Sequence, residues 1–169
     1  MDRSVKKLIV AAMMAALACV GTLVHIPAPA VGYVHAGDAV VVLAGALLGP
    51  LYGTVAAGLG SALADLLLGY VLYAPATFVI KALVALTVSL LADRVRTAGM
   101  RGYLMLVFCG LLGGFVTVGG YFVYEIFLYG IGAAIPGLLL NALQALVGAI
   151  AGALLITQLR RVRLLRELR

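Results

Sequence analysis

From Gly37 to Lys81 the chain reads GDAVVVLAGALLGPLYGTVAAGLGSALADLLLGYVLYAPATFVIK, with Asp38, Asp65 and Lys81 as its charged side chains. Each is separated from the next by uncharged residues numerous enough to enter a bilayer. A charge in hydrocarbon costs about 2.5–3.5 kcal/mol, so such residues pair with one another or meet a ligand. Their surroundings leave no soluble alternative. With 65% hydrophobic and 11% charged residues and a mean hydropathy of +1.21, polar surface is too scarce to coat a soluble globule. The sequence predicts an all-α integral membrane protein, one membrane domain over residues 1–169, with no room for a soluble head.

The basic residues predict the topology. Arg3, Lys6 and Lys7 precede the first apolar run, Arg94, Arg96 and Arg101 lie mid-chain, and five arginines from Arg160 to Arg169 close it. Clusters that flank apolar spans stay cytoplasmic and suit an anionic leaflet, so nucleic acid is not the partner they imply. An even number of crossings must then separate successive clusters, which requires the chain to reverse near Gly49-Pro50. Six transmembrane helices are expected, at about 7–26, 38–48, 51–68, 75–92, 102–127 and 133–158, with both termini cytoplasmic. The loop 27–36 and the connections at 69–74 and 128–132, which carry no Lys or Arg, face outward. The segment 159–169 is a basic tail suited to the lipid interface.

Several chemistries are excluded. GxSxG, HExxH and the Walker lysine loop are absent, and Cys19 and Cys109 lie in apolar runs without metal or redox spacing. His25 and His35 flank two prolines. No enzyme, metal site or cofactor is expected.

The side chains that remain gather toward the outward end and fit a small polar ring compound, while the inner half is expected to be apolar between its basic rims. Thr77 and Lys81 are four apart on one helix face, as are Tyr121 and Glu125 on the next helix. Asn141 and Gln144 offer amides that both donate and accept. Tyr33, Tyr121 and Tyr124 bring flat faces with hydroxyls. Each has a plainer use: Lys81 neutralising Asp65 or Glu125, tyrosines marking the membrane interface. Asp38 and Asp65 are read as structural charges. Small residues spaced by four, Ala11 with Ala15 and Ala12 with Ala16, allow close helix packing within the bundle or against a membrane partner.

The stretch from Gly37 to Leu83 resembles the core of the substrate-binding S components of energy-coupling factor (ECF) transporters, nearest to the hydroxymethylpyrimidine, pyridoxine and riboflavin types. The likeness extends in layout to the whole chain. It implies a bacterial or archaeal plasma-membrane protein that binds a B-vitamin or precursor in an outward cavity lidded by residues 27–36. It further implies partnership with a transmembrane coupling protein and two ATPase subunits. The family's alanine motif maps onto Ala11 and Ala15, and its ligand-contacting regions contain Tyr33 and His35 in the lid, and Lys81, Glu125, Asn141 and Gln144 in the helices. Pyridoxine or hydroxymethylpyrimidine is the first expectation, riboflavin the next. A stand-alone secondary transporter and a small pore or structural membrane protein are the rival readings.

Overall fold

The structure, a computed structural model, describes residues 2–27 and 33–160. Asp2 caps α1 (Arg3–Leu23), its carboxylate accepting the Ser4 amide at 3.4 Å. The helix ends before the expected residue 26 because His25–Pro27 form a strand, β1, antiparallel to β2 (Tyr33–His35), with His25 opposite His35. Of the expected lid, 27–36, the structure describes Pro27, which ends β1, and 33–36, which include β2, while 28–32 lie outside the described residues. So does most of the basic tail, 161–169.

Four helices follow: α2 (Gly37–Leu67), α3 (Ala74–Ala92), α4 (Gly99–Tyr129) and α5 (Ile131–Leu159). Among the described residues five helices, not the expected six, are long and apolar enough to cross a membrane. The correction concerns 38–48 and 51–68, which belong to the single element α2. Its first arm, 37–48, reaches about 18 Å against a hydrocarbon core of about 30 Å, too short to count as a span.

The path of α2 is nonetheless not straight. Gly49 has φ 78° and ψ −176°, a conformation open essentially to glycine, followed by Pro50. A Cβ on Gly53 would lie 2.5 Å from the Ala44 carbonyl oxygen, whereas nine residues of continuous helix would hold those positions about 13 Å apart. The chain therefore folds back on itself at Gly49. This is why His35, just before α2, and Asp65, near its end, line one cavity, although a straight α2 would be about 46 Å long.

Around this hairpin the other helices assemble: α2 packs on α1, α3 and α5, and α4 packs between α3 and α5. The contacts are made by small residues. Gly110 and Gly114 sit against Ala149 and Ala145, and Gly148 lets α5 approach Asp38, the close backbone packing that replaces water expulsion in lipid. The outside is apolar, with Phe115 73%, Phe127 83% and Leu139 77% exposed, while Lys81 is 0% exposed. Large hydrophobes outside and charge inside suit a bilayer rather than water. Away from the cavity end, buried Ser89 interrupts the expected apolar half with a hydroxyl.

Candidate functional site

The segments that should face one side do meet there. The end of β2, the far end of α2, the 69–73 connection, the start of α3, the end of α4 and the first half of α5 enclose a cavity of about 600 Å³. It is lined by His35, Asp65, Thr77, Tyr121, Glu125, Asn141 and Gln144 from the helices and β2, and by Tyr70, Tyr73 and Tyr129 at the helix ends.

Two layers can be distinguished. Beneath the cavity, Lys81 donates to Asp38 Oδ1 at 2.6 Å and its Nζ lies 5.3 Å from the Tyr121 ring centroid. Gln144 Nε2 donates to Asp38 Oδ2 at 3.1 Å, and Gln144 Oε1 accepts the His35 amide at 3.3 Å. The close approach at Gly148 sets this up by bringing α5 against Asp38 one turn from Gln144. One chain of contacts thus ties α3, α2, α5 and β2 together. The Gly37 amide donates to His35 Nδ1 at 3.0 Å, so that nitrogen is the acceptor. Burial, with Lys81 adding to it and Asp38 opposing, pulls the His35 pKa down to about 4, leaving a neutral imidazole at ordinary pH.

Above this layer the walls are aromatic. Tyr73 is the hub, with ring centroids of Tyr124 at 5.6 Å, Tyr70 at 6.3 Å, Tyr121 at 6.4 Å and Tyr129 at 6.5 Å. Burial first, then the nearby Glu125 charge, raises the Tyr73 pKa, so its hydroxyl stays protonated. Thr77 Oγ1 and Tyr121 Oη share a hydrogen bond of 2.9 Å across the wall. Glu125 is 4% exposed, and its Oε2 has no hydrogen-bond partner among the described residues. A site of this volume with flat apolar walls and a few polar groups suits a small ring compound.

A model of the S component of ECF-type riboflavin transporters matches residues 2–161. The chain belongs to this S-component family. An uncharacterised protein of Pyrococcus woesei, from the gap 3′ region, is 39% identical over 131 residues, 77% of this chain and 84% of that protein. The crystal structure of the S component for biotin from an ECF-type ABC transporter superposes with a TM-score of 0.67 at 20% identity, covering 95% of each chain. That likeness establishes the fold. The family is one of transporter substrate-binding components rather than enzymes, and this S component is a multi-pass membrane protein.

The expected ligand residues of the S component divide. His35, Thr77, Tyr121, Glu125, Asn141 and Gln144 line the cavity. Lys81 does not; it is sealed below by Asp38, the partner that sequence reading had not given it. Tyr124 does not line the cavity directly; its ring packs behind Tyr73 and its hydroxyl donates to the Leu72 carbonyl. Of Tyr33 only the backbone, paired with Pro27, is described. Asp65, expected to be structural, lines the cavity, while Asp38 is in the ion pair. Tyr70, Tyr73 and Tyr129 were missed; the YVLY of the 69–74 connection was the signal for the first two. Ala11 is buried and Gly60 of α2 packs on the Ala15 carbonyl, so this stripe is used inside the chain, whereas Ala12 and Ala16 are exposed.

Proposed function

We propose that this chain captures a B-vitamin or vitamin precursor with a heteroaromatic ring at the outer face of a bacterial or archaeal plasma membrane. It hands the vitamin on together with a coupling T component and two ATPase subunits. The observation that carries the reading is the tyrosine-walled cavity at one end of an otherwise apolar bundle. The cavity end faces outward and the termini lie in the cytoplasm, as the basic clusters at the opposite end favour. Pyridoxine or hydroxymethylpyrimidine suits the polar groups of the wall; riboflavin is favoured by the family model and by a volume generous for one ring.

In this reading the ring stacks within the tyrosines, and Asn141 and Gln144 hydrogen-bond its substituents. The T component docks on the exposed Ala12 and Ala16 side of α1, one residue out of register from Ala11 and Ala15, whose face is occupied by α2. The purified chain binds one such vitamin without ATP. Asn141→Ala weakens that binding about tenfold by titration calorimetry, as expected for a lost hydrogen bond left unmatched on the ligand. Failure of every heteroaromatic vitamin to bind refutes the proposal, as does an Asn141→Ala variant of unchanged affinity for the residue assignment. Native mass spectrometry of protein from rich medium reads the ligand's mass directly.

A further inference from the structure

Among the described residues Asp65 and Glu125 line the cavity and no Lys or Arg does so; of the two carboxylates, Glu125 is the one that bears on a ligand. Lys81, the cation buried nearby, is held 2.6 Å from Asp38 in the layer below. Glu125 projects from α4 one turn beyond Tyr121, buried, with Oε2 lacking any hydrogen-bond partner among the described residues. A buried carboxylate without a counter-charge is destabilising, and it is relieved either by taking up a proton or by a cation that completes it. Beside it stand the rings grouped on Tyr73, whose faces carry the negative part of the aromatic quadrupole. A carboxylate in a cavity walled by tyrosine rings is an arrangement that favours positive charge and disfavours a ring that presents acceptors.

Resting on the reading of this cavity as a vitamin site, we propose that the ligand is bound as a cation. It is a protonated or permanently charged nitrogen heterocycle, its charge met by the Glu125 carboxylate and the tyrosine faces around Tyr73. The selectivity of the site then lies in charge as much as in shape: an aminopyrimidinium, pyridinium or thiazolium ring fits, and a neutral ring of similar outline leaves Glu125 unmatched. His35, being neutral, does not compete for the carboxylates.

The test is calorimetric titration of the purified full chain at neutral pH with three probes: thiamine, which carries a permanent thiazolium charge, hydroxymethylpyrimidine, which is basic, and riboflavin, which is neutral. The expected result is that thiamine or hydroxymethylpyrimidine binds more tightly than riboflavin. Glu125→Gln, close to isosteric, then weakens the favoured cation about tenfold or more, because a charge pair is lost while shape is kept. Its melting temperature stays at or above that of the parent, which separates lost recognition from lost folding. Riboflavin binding most tightly, with an affinity indifferent to Glu125→Gln, overturns this inference and leaves the vitamin-capture reading standing. A cation bound equally well by Glu125→Gln also overturns it, since Glu125 would then act as a neutral hydrogen-bonding group. Binding of none of the three, nor of pyridoxine, refutes both.

Discussion

Asp38 and Glu125 are both carboxylates 4% exposed inside an apolar bundle, and the two are treated in opposite ways. Asp38 has Lys81 on one oxygen and Gln144 on the other. Glu125 has an oxygen that nothing in the described chain completes. The difference separates a group whose charge is met within the chain from one with an oxygen left open at the cavity. The Asp38 layer spans α2, α3 and α5 and fixes the floor of the cavity; the Glu125 layer is its wall.

Removing one partner from the floor is the largest expected effect. Lys81→Ala strands Asp38 without its counter-charge and costs about 3–5 kcal/mol, seen as a large drop in melting temperature in detergent. Lys81→Met combined with Asp38→Asn recovers most of that loss, since both charges go while the amide oxygen still accepts from Gln144. Glu125→Gln, measured the same way, leaves the melting temperature unchanged or raises it. Equal losses from the two carboxylate layers would erase the distinction between floor and wall.

The hydrogen bond that crosses the wall sets the next level. Tyr121→Phe removes the 2.9 Å contact with Thr77 while keeping the ring over Lys81. The expected loss is about 1 kcal/mol of stability, with ring stacking, and so binding of a heteroaromatic ligand, changed little. A loss on the scale of Lys81→Ala would mean that floor and wall are one cooperative unit.

How much of this was legible depended on whether a feature is local. Apolar run lengths and basic clusters are local, and they foretold the helices from α3 to α5 to within three residues at each end. The reversal at Gly49-Pro50 was also readable, because a glycine next to a proline is written in the sequence, and so was the shortness of its first arm; what was not readable was that the two arms form the single element α2, folded back at Gly49. The facing of side chains is not local. Lys81 was paired on paper with Asp65 or Glu125, yet the choice among three carboxylates depends on how α2 folds back beside α3. Ala11 with Ala15 and Ala12 with Ala16 point about 100° apart around α1, and only the packing of Gly60 decides which stripe is used internally. Tyr70 and Tyr73 escaped notice because aromatic residues at helix ends also form membrane-interface belts, so their sequence signal is shared with a role that needs no ligand.

The smallest effect lies where floor and lid join. Folded His35 has a pKa of about 4 against an ordinary 6.5, chiefly through burial, with its Nδ1 accepting the Gly37 amide. Between those values an unfolded imidazole takes up a proton that the folded one refuses, so stability falls as pH drops from about 6.5 toward 4 and is pH-independent from this source above 6.5. Melting temperatures at pH 7.5 and pH 5 should therefore differ in the parent, with the lower value at pH 5. In His35→Asn, which keeps a polar side chain but cannot titrate, the part of that difference due to His35 vanishes. The same shift ties the lid to the wall: protonating His35 sacrifices the contact with Gly37 at the mouth of the cavity, so ligand affinity should weaken over the same pH interval in the parent more than in His35→Asn. A parent and variant with identical pH profiles would show that the strand carrying His35 is held by its pairing with β1 and its amide's bond to Gln144 rather than by the imidazole.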